Sequence, residues 1–103
     1  MSELSEKDIQ FAIKRRLTEL GYIVLSTSSI AAGRGRRAAS TSSGVPDLLV
    51  SHRKWQCGVW LGLEVKTEKG RLTPEQTELY NLGRIVIVRS VEMAVIVAEG
   101  WGP

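Results

Sequence analysis

The chain has 103 residues, of which 43% are hydrophobic, enough for one domain with its own hydrophobic core. Its formal net charge of +3 is too small to identify a partner by itself. A single cysteine, Cys57, excludes an intrachain disulfide, and with a single histidine, His52, the chain lacks the parts of a zinc cluster or a Cys/His nucleophile pair. The sequence shows neither a leader-like segment nor an apolar run of membrane length, so we expect a cytoplasmic protein with no membrane partner.

Residues 5–20 are predicted to form the first helix. Ser5 and Asp8 fit a capping box, and Gly21 stands where a left-handed residue commonly ends a helix. Glu6 points along the apolar stripe, so it either interacts with the positive end of the helix dipole or belongs to a site. The residues within about 60° of Glu6 around the helix are Ile9, Gln10, Ile13, Leu17 and Leu20.

A strand pattern then gives way to a basic loop. Residues 22–27 are rich in β-branched and aromatic side chains and predict the first strand. Residues 28–44 are mainly Ser, Thr, Ala and Gly, with Arg34, Arg36 and Arg37 and no acid. This loop is either a linker of small residues or a nucleic-acid contact, because arginines without acidic partners suit phosphate oxygens.

Two strands joined by a hairpin follow the loop. Residues 47–51 form the second predicted strand, which begins after Pro46 because proline is tolerated only at a strand start or edge. Residues 52–58 are the predicted connection. Asp47 therefore lies at the mouth of the strand. An Asp beside a proline usually serves a turn, and this is the alternative to a site role for Asp47.

The third predicted strand, residues 60–66, carries two charged side chains on one face. Alternation places Glu64 and Lys66 on the same face, with leucines and a valine on the other. Apolar runs before and after this segment in the sequence predict a central strand. Charged side chains are rarely buried in a central strand unless they have a partner or a function. The hairpin would bring Asp47 to that face as well. Two carboxylates and one ammonium are the arrangement that a hard cation and its anionic substrate require.

The region after Lys66 combines a basic turn with a helix start. Lys69 and Arg71 flank a glycine on the side of the sheet that receives Lys66. Thr73 and Gln76 have the spacing of a capping box, so Gln76 either completes the cap or supports a site. The second helix is predicted to end at Gly83.

The last elements complete a small α/β fold. The helix face shared by Gln76 and Tyr80 is predicted to look toward the sheet. Residues 85–88 are wholly apolar and predict an interior strand, and Ser90 caps a final helix. The sequence thus predicts one domain spanning residues 1–103, with a small central mixed β-sheet flanked by helices in the order α-β-β-β-α-β-α.

Two short motifs in this frame resemble a known nuclease family. Pro46-Asp47 followed by Glu64-Val65-Lys66 resembles the PD-(D/E)XK motif. More narrowly, GVPDLLV followed by GLEVKTEKGRLTPEQ, behind a leading SEKDIQ helix, resembles the VRR-NUC domain, the virus-type replication-repair nuclease, in the stand-alone form that phages encode. The resemblance implies a restriction-endonuclease-like fold and DNA cleavage that depends on Mg²⁺ or Mn²⁺, without an organic cofactor. It also implies a homodimer that acts on branched DNA such as four-way (Holliday) junctions, in the host cytoplasm if the chain is phage-encoded.

The resemblance also assigns roles to individual residues. Asp47 and Glu64 would ligate the metal, with the Val65 backbone carbonyl as a further ligand. Lys66 would orient the attacking water, and Gln76 would support the site. The family places a helix carboxylate at either of two positions one turn apart, and this chain has Glu6 at the first and Gln10 at the second. Glu6 is the only carboxylate of the two, and so is the expected catalytic residue and a further candidate metal ligand.

Nucleic-acid contacts are expected at five basic residues, which are Arg34, Arg36, Arg37, Lys69 and Arg71. Two alternatives from other classes compete with the enzyme. One is a catalytically silent nucleic-acid-binding module that uses the basic loop 28–44. The other is a structural protein in which Glu64 and Lys66 form only an ion pair. Neither alternative explains Asp47, because a DNA binder has no reason to hold acidic groups where phosphates approach.

Overall fold

The computed structural model describes residues 4–27 and 45–101. Within these ranges the chain forms three helices and four strands in the predicted order. They are α1 (Glu6–Glu19), β1 (Ile23–Ser26), β2 (Leu48–Ser51), β3 (Leu61–Val65), α2 (Pro74–Asn81), β4 (Val86–Val88) and α3 (Val91–Glu99). The basic loop, including Arg34, Arg36 and Arg37, lies outside the described residues.

The ends of α1 follow from its local sequence. The Ser5 hydroxyl accepts a hydrogen bond from the Asp8 N–H at 3.1 Å, and the Asp8 carboxylate accepts one from the Ser5 N–H at 3.2 Å. This reciprocal pair satisfies two of the helix's free backbone donors and confirms the predicted capping box. At the other end Gly21 has a φ of 98°, the left-handed conformation that glycine adopts most easily.

The four strands form one mixed sheet in the order β1-β2-β3-β4. The pairs β1 with β2 and β2 with β3 are antiparallel, and β3 with β4 is parallel. The hairpin of β2 and β3 and the central place of β3 are therefore as predicted. All five residues of β3 are buried, so both faces of this strand are covered.

The core lies between the sheet and two of the helices. From α1, Ile9, Ile13 and Leu17 pack against apolar side chains of the strands, and α3 adds Ala94 and Ala98. The buried side chains of α1 recur about once per helical turn, so they lie along one stripe of the helix. By contrast α2 has no buried residue, so it adds little to the core.

One expectation about the sheet is wrong. The apolar run at residues 85–88 predicted an interior strand, but β4 pairs only with β3 and lies at the edge of the described sheet. Its apolar character reflects coverage of its faces, since Val88 is fully buried and Val86 and Ile87 are half-buried. A length of three residues also limits the exposed edge. No helix within residues 4–27 and 45–101 has the length and apolarity to cross a membrane.

Candidate active site

Strand register places Asp47 beside Glu64. The antiparallel pairs Leu48 with Leu63 and Leu49 with Gly62 continue by one step to Asp47 opposite Glu64. Residues directly opposite in an antiparallel pair have their Cβ atoms about 5 Å apart and share one face of the sheet. The hairpin thus brings the two carboxylates of the sequence motif together.

Backbone groups at the ends of the two strands that flank β2, which are β1 and β3, bind Asp47. Its Oδ2 accepts a hydrogen bond of 2.8 Å from the N–H of Val65, and its own carbonyl accepts one of 3.1 Å from the N–H of Thr27. The carboxylate bond spans 18 residues of sequence and crosses between strands. The alternative that Asp47 serves a local turn is therefore wrong. These bonds fix the carboxylate beside the C-terminal end of β3.

The Val65 carbonyl faces the same side. In an extended strand the N–H and C=O of one residue point to the same edge, and the Val65 N–H points at Asp47. The Lys66 N–H points the other way and donates to the Val88 carbonyl at 3.0 Å. The backbone of β3 thus offers one carbonyl oxygen toward the carboxylate of Asp47.

Glu64 is a buried acid with one satisfied and one unsatisfied oxygen. Only 3% of the residue is exposed. Its Oε2 accepts a hydrogen bond of 2.8 Å from Nε2 of Gln76 and lies 3.9 Å from Nζ of Lys66, which is itself only 7% exposed. Its Oε1 is buried and has no hydrogen-bond partner among the described residues. An unpaired buried carboxylate oxygen is costly, so a ligand at Oε1 would remove a penalty.

Gln76 performs both of the roles that the sequence left open. Its Oε1 accepts from the Thr73 N–H at 2.9 Å, and its own N–H donates to the Thr73 hydroxyl at 3.1 Å, which completes the capping box of α2. Its Nε2 remains free to donate to Glu64. Tyr80, one turn later, was predicted to face the sheet with Gln76. Half of its surface is exposed, so it is not packed against the sheet in that way.

Burial and like charge shift the titration of Glu64. The pKa of Glu64 is raised from 4.5 to about 8, mainly by burial and next by the nearby charge of Asp47, while Lys66 opposes the shift. The charge of Glu6 adds a smaller increase, which places Glu6 within electrostatic range of Glu64. At neutral pH and without a bound cation, the Glu64 carboxyl therefore holds its proton. A cation at the site would displace that proton, because metal ligation requires the carboxylate form.

The donor set fits a small hard cation. Carboxylate and carbonyl oxygens are the ligands that Mg²⁺ prefers, and Mg²⁺ commonly takes only one or two protein carboxylates and keeps several waters. Within residues 4–27 and 45–101 no group of three or more His, Cys, Asp and Glu is placed to enclose a metal ion. Among these residues Glu6 therefore does not form a three-carboxylate cluster with Asp47 and Glu64.

Comparisons with known proteins found one similar structure. No protein-family model matches the chain, and no curated protein matches it. Among solved structures, one described as "VRR_NUC domain" superposes with a TM-score of 0.61 and 27% sequence identity, covering 95% of this chain and 99% of the other. The chain is therefore similar to a VRR_NUC domain over nearly its whole length. The α/β architecture and the family resemblance predicted from the sequence are confirmed.

The remaining predicted residues among those described lie on α1 and in the turn after β3. Glu6 and Gln10 are both half-buried, one turn apart on α1. Lys69 and Arg71 are exposed in the turn between β3 and α2. The charge of Glu6 affects Glu64, but an uncharged Gln10 could show no such effect, so the choice of Glu6 as the helix residue stays a prediction.

Sequence reasoning missed two residues near the candidate site. Gly62 leaves room for a neighbour of Asp47, since a Cβ there would lie 3.1 Å from Cγ of Pro46. Arg89 donates from Nη1 to the carbonyls of Thr67, Glu68 and Gly70. Strand alternation places Gly62 on the same face of β3 as Glu64, but it cannot show which side chain packs against Gly62. Arg89 could be found only from the parallel pairing of β3 with β4, which no local pattern indicates.

Proposed function

We propose that this domain is a metal-dependent DNA endonuclease that hydrolyses phosphodiester bonds. VRR_NUC domains are nucleases of the PD-(D/E)XK type, and this chain carries that motif at Asp47, Glu64 and Lys66. The observation that carries the proposal is the buried Glu64 carboxyl beside Asp47, with Oε1 lacking a partner among the described residues. A protein gains no stability from burying one acid beside a second, half-buried one, so a cationic ligand is the simplest reason for the arrangement.

Each residue of the site has a distinct task in this proposal. Asp47, Glu64 and the Val65 carbonyl would hold Mg²⁺ or Mn²⁺, with Glu6 as a further candidate ligand. When bound, the cation would offset negative charge on the phosphate and lower the pKa of a coordinated water. Lys66 would donate a hydrogen bond that orients the attacking water, and its position on the same face as Glu64 puts its ammonium at the site. Gln76 would hold Glu64 in place through Nε2.

The substrate class follows from the basic residues around the site. Lys69 and Arg71 are exposed beside Lys66 in sequence and suit the phosphates of a DNA strand. The loop arginines Arg34, Arg36 and Arg37 extend the proposed contact. Replacing these three with Ala should weaken DNA binding and flatten its salt dependence by up to roughly one log–log unit per lost phosphate contact. An unchanged affinity and slope would reduce the loop to a linker.

We further propose that the enzyme acts as a homodimer on branched DNA such as four-way junctions. A domain of 103 residues is small for gripping two strands, and two-fold symmetry would present two sites. Exposed apolar side chains on α3, Met93 and Ile96, offer a surface for association. Light scattering at micromolar concentration tests this, and a clean monomer would make junction resolution untenable.

A silent DNA-binding module is the second candidate, favoured only by the exposed basic turn. Such a module would not benefit from two neighbouring acids close to the phosphates that it binds. The experiment that separates the two incubates the protein with linear, flapped and four-way DNA in Mg²⁺, in Mn²⁺ and in chelator. Cleavage with metal but not with chelator, and none by Asp47→Asn protein, is expected. Binding of the same DNA without cleavage in either metal would instead establish the module.

A further inference from the structure

The turn that follows Lys66 is built around an arginine from another strand. Arg89 comes directly after β4, the parallel neighbour of β3. Its Nη1 donates to the Glu68 carbonyl at 3.2 Å, to the Gly70 carbonyl at 3.0 Å and also to the Thr67 carbonyl. The turn closes on itself through a 3.0 Å bond from the Gly70 N–H to the Thr67 carbonyl. One guanidinium therefore gathers three carbonyls of a single turn on one side.

This arrangement determines where the backbone N–H groups point. In a trans peptide the C=O and N–H point in opposite directions, and no described peptide bond is cis. The peptides whose carbonyls face Arg89 carry the N–H groups of Glu68, Lys69 and Arg71. These three donors therefore point away from Arg89, and they make no hydrogen bond within the described residues. Their positive dipole ends form the outer side of the turn.

The side chains of the turn add positive charge to the same region. Lys69 and Arg71 are exposed, and neither they nor Arg89 form an ion pair within the described residues. Glu68 is the only acid of the turn. Placing three cations so close to a single acid leaves an excess of positive charge, which costs free energy in the isolated protein and which a polyanion would offset.

We propose that Arg89 shapes residues 67–71 into a binding element for the phosphates of one nucleic-acid strand, contacted by the outward N–H groups and by Lys69 and Arg71. Because the carbonyls converge on Arg89, the N–H groups diverge. A diverging set suits successive phosphates of an extended strand better than one small anion. The inference rests on the proposed function for its ligand, and it adds that Arg89 acts through the turn, as a positioning residue, and not by touching DNA.

Binding of a fluorescent DNA duplex, titrated at several salt concentrations, tests this proposal. The Asp47→Asn protein is used throughout, so the result does not depend on cleavage. Arg89→Ala and Arg89→Lys should each weaken binding about tenfold, whereas Arg53→Ala, which removes an equal charge from the hairpin at the other end of β2, should change it less than about twofold. Lysine keeps the charge but is too short to gather three carbonyls. Wild-type affinity for Arg89→Lys would overturn the proposal.

A second set of variants separates a positioning role of Arg89 from direct contact between Arg89 and DNA. In Lys69→Ala/Arg71→Ala protein, adding Arg89→Ala should leave the salt slope unchanged, because the contacts still lost are neutral N–H groups. A further fall of about 0.9 in the log–log slope would mean that Arg89 itself binds a phosphate and would overturn the proposal. No loss of affinity in Lys69→Ala/Arg71→Ala protein would also overturn it, while leaving the metal-dependent cleavage to be judged by its own assay.

A readout without DNA guards against simple unfolding. The Gly70 amide, bonded to Thr67, should be protected from hydrogen exchange in the parent protein and in Arg53→Ala. It should lose that protection in Arg89→Lys while the amides of β3 keep theirs. Retained protection of Gly70 in Arg89→Lys would show that Arg89 does not organise the turn.

Discussion

Nε2 of Gln76 donates a 2.8 Å hydrogen bond to Oε2 of Glu64, and this bond joins the first turn of a surface helix to a buried acid in the central strand. The side-chain oxygen of Gln76, Oε1, accepts a hydrogen bond from the Thr73 N–H, so the amide cannot flip without breaking the cap of α2. The helix has no buried residue of its own. The bond therefore both anchors α2 and selects one orientation of the Glu64 carboxyl.

Gln76→Ala should reduce cleavage much more than it reduces stability. The change removes the donor to Glu64 as well as the cap, and loss of a cap costs about 1 kcal/mol. Thr73→Ala is the matched control, because it removes the hydroxyl that caps the helix but leaves the Gln76 amide in place. Turnover and thermal denaturation of both variants check this. Equal cleavage by the two variants would assign Gln76 to the cap alone.

Glu6→Gln should reduce cleavage strongly, while Gln10→Ala should have a milder effect. Glu6 is the only carboxylate of the two positions, and its charge reaches Glu64. Because Glu6 lies in the first turn of α1, the change should cost only about 0.3–1 kcal/mol of stability through the helix dipole. Initial rates across a titration of Mg²⁺ or Mn²⁺ measure the effect. Wild-type rates for Glu6→Gln together with an inactive Gln10→Ala would move the site to the second position.

The stability of the metal-free protein should fall as pH rises from 4.5 to about 8 because of Glu64. Its pKa is raised in the folded state to about 8, so in this window the folded protein binds more protons than the unfolded chain. A fully shifted group changes the free energy of unfolding by about 1 kcal/mol per pH unit there. Denaturant unfolding in chelator, compared between wild type and Glu64→Gln, isolates the contribution. A constant difference between the two proteins across the window would contradict the burial of an ionisable acid at this position.

Gly62→Ala should impair cleavage by displacing the residue before Asp47. The new Cβ would meet Pro46 Cγ at 3.1 Å and Pro46 Cβ at 3.3 Å, closer than side chains normally pack. Overpacking of this kind typically costs about 1–3 kcal/mol. Adding Pro46→Ala removes the ring and should recover part of the stability and the activity. No recovery in the double variant would mean that Gly62 acts through other contacts, such as the nearby Arg84 carbonyl.

The sequence predicted the elements and the acidic pair because both depend on local patterns. The cap of α1 needs only Ser5 and Asp8, and alternation along β3 fixes the shared face of Glu64 and Lys66. Once the hairpin is assumed, Asp47 falls opposite Glu64 with no further information. Gln76 was reached by two competing arguments. The capping box is confirmed, and the amide nitrogen also bonds Glu64, while a role of Gln76 in catalysis stays a prediction.

What the sequence did not predict depends on how distant elements meet. The edge position of β4 cannot be read from an apolar run, since such a run indicates covered faces and not neighbours on both sides. Arg89 reaches the turn after β3 only because β3 and β4 are parallel. Tyr80 stays exposed because α2 buries none of its residues against the sheet. These contacts are set by tertiary packing, which no local spacing encodes.

The most direct test of the account is single-turnover cleavage of saturating DNA by wild-type, Asp47→Asn and Lys66→Ala proteins, in Mg²⁺ and in Mn²⁺, with DNA binding measured in parallel. Each substitution removes chemistry and leaves the basic contact surface, so the account predicts cleavage by wild type, none by either variant, and similar affinity for all three. Wild-type protein that cuts no DNA in either metal, or variants that lose binding and cleavage in equal measure, would contradict it.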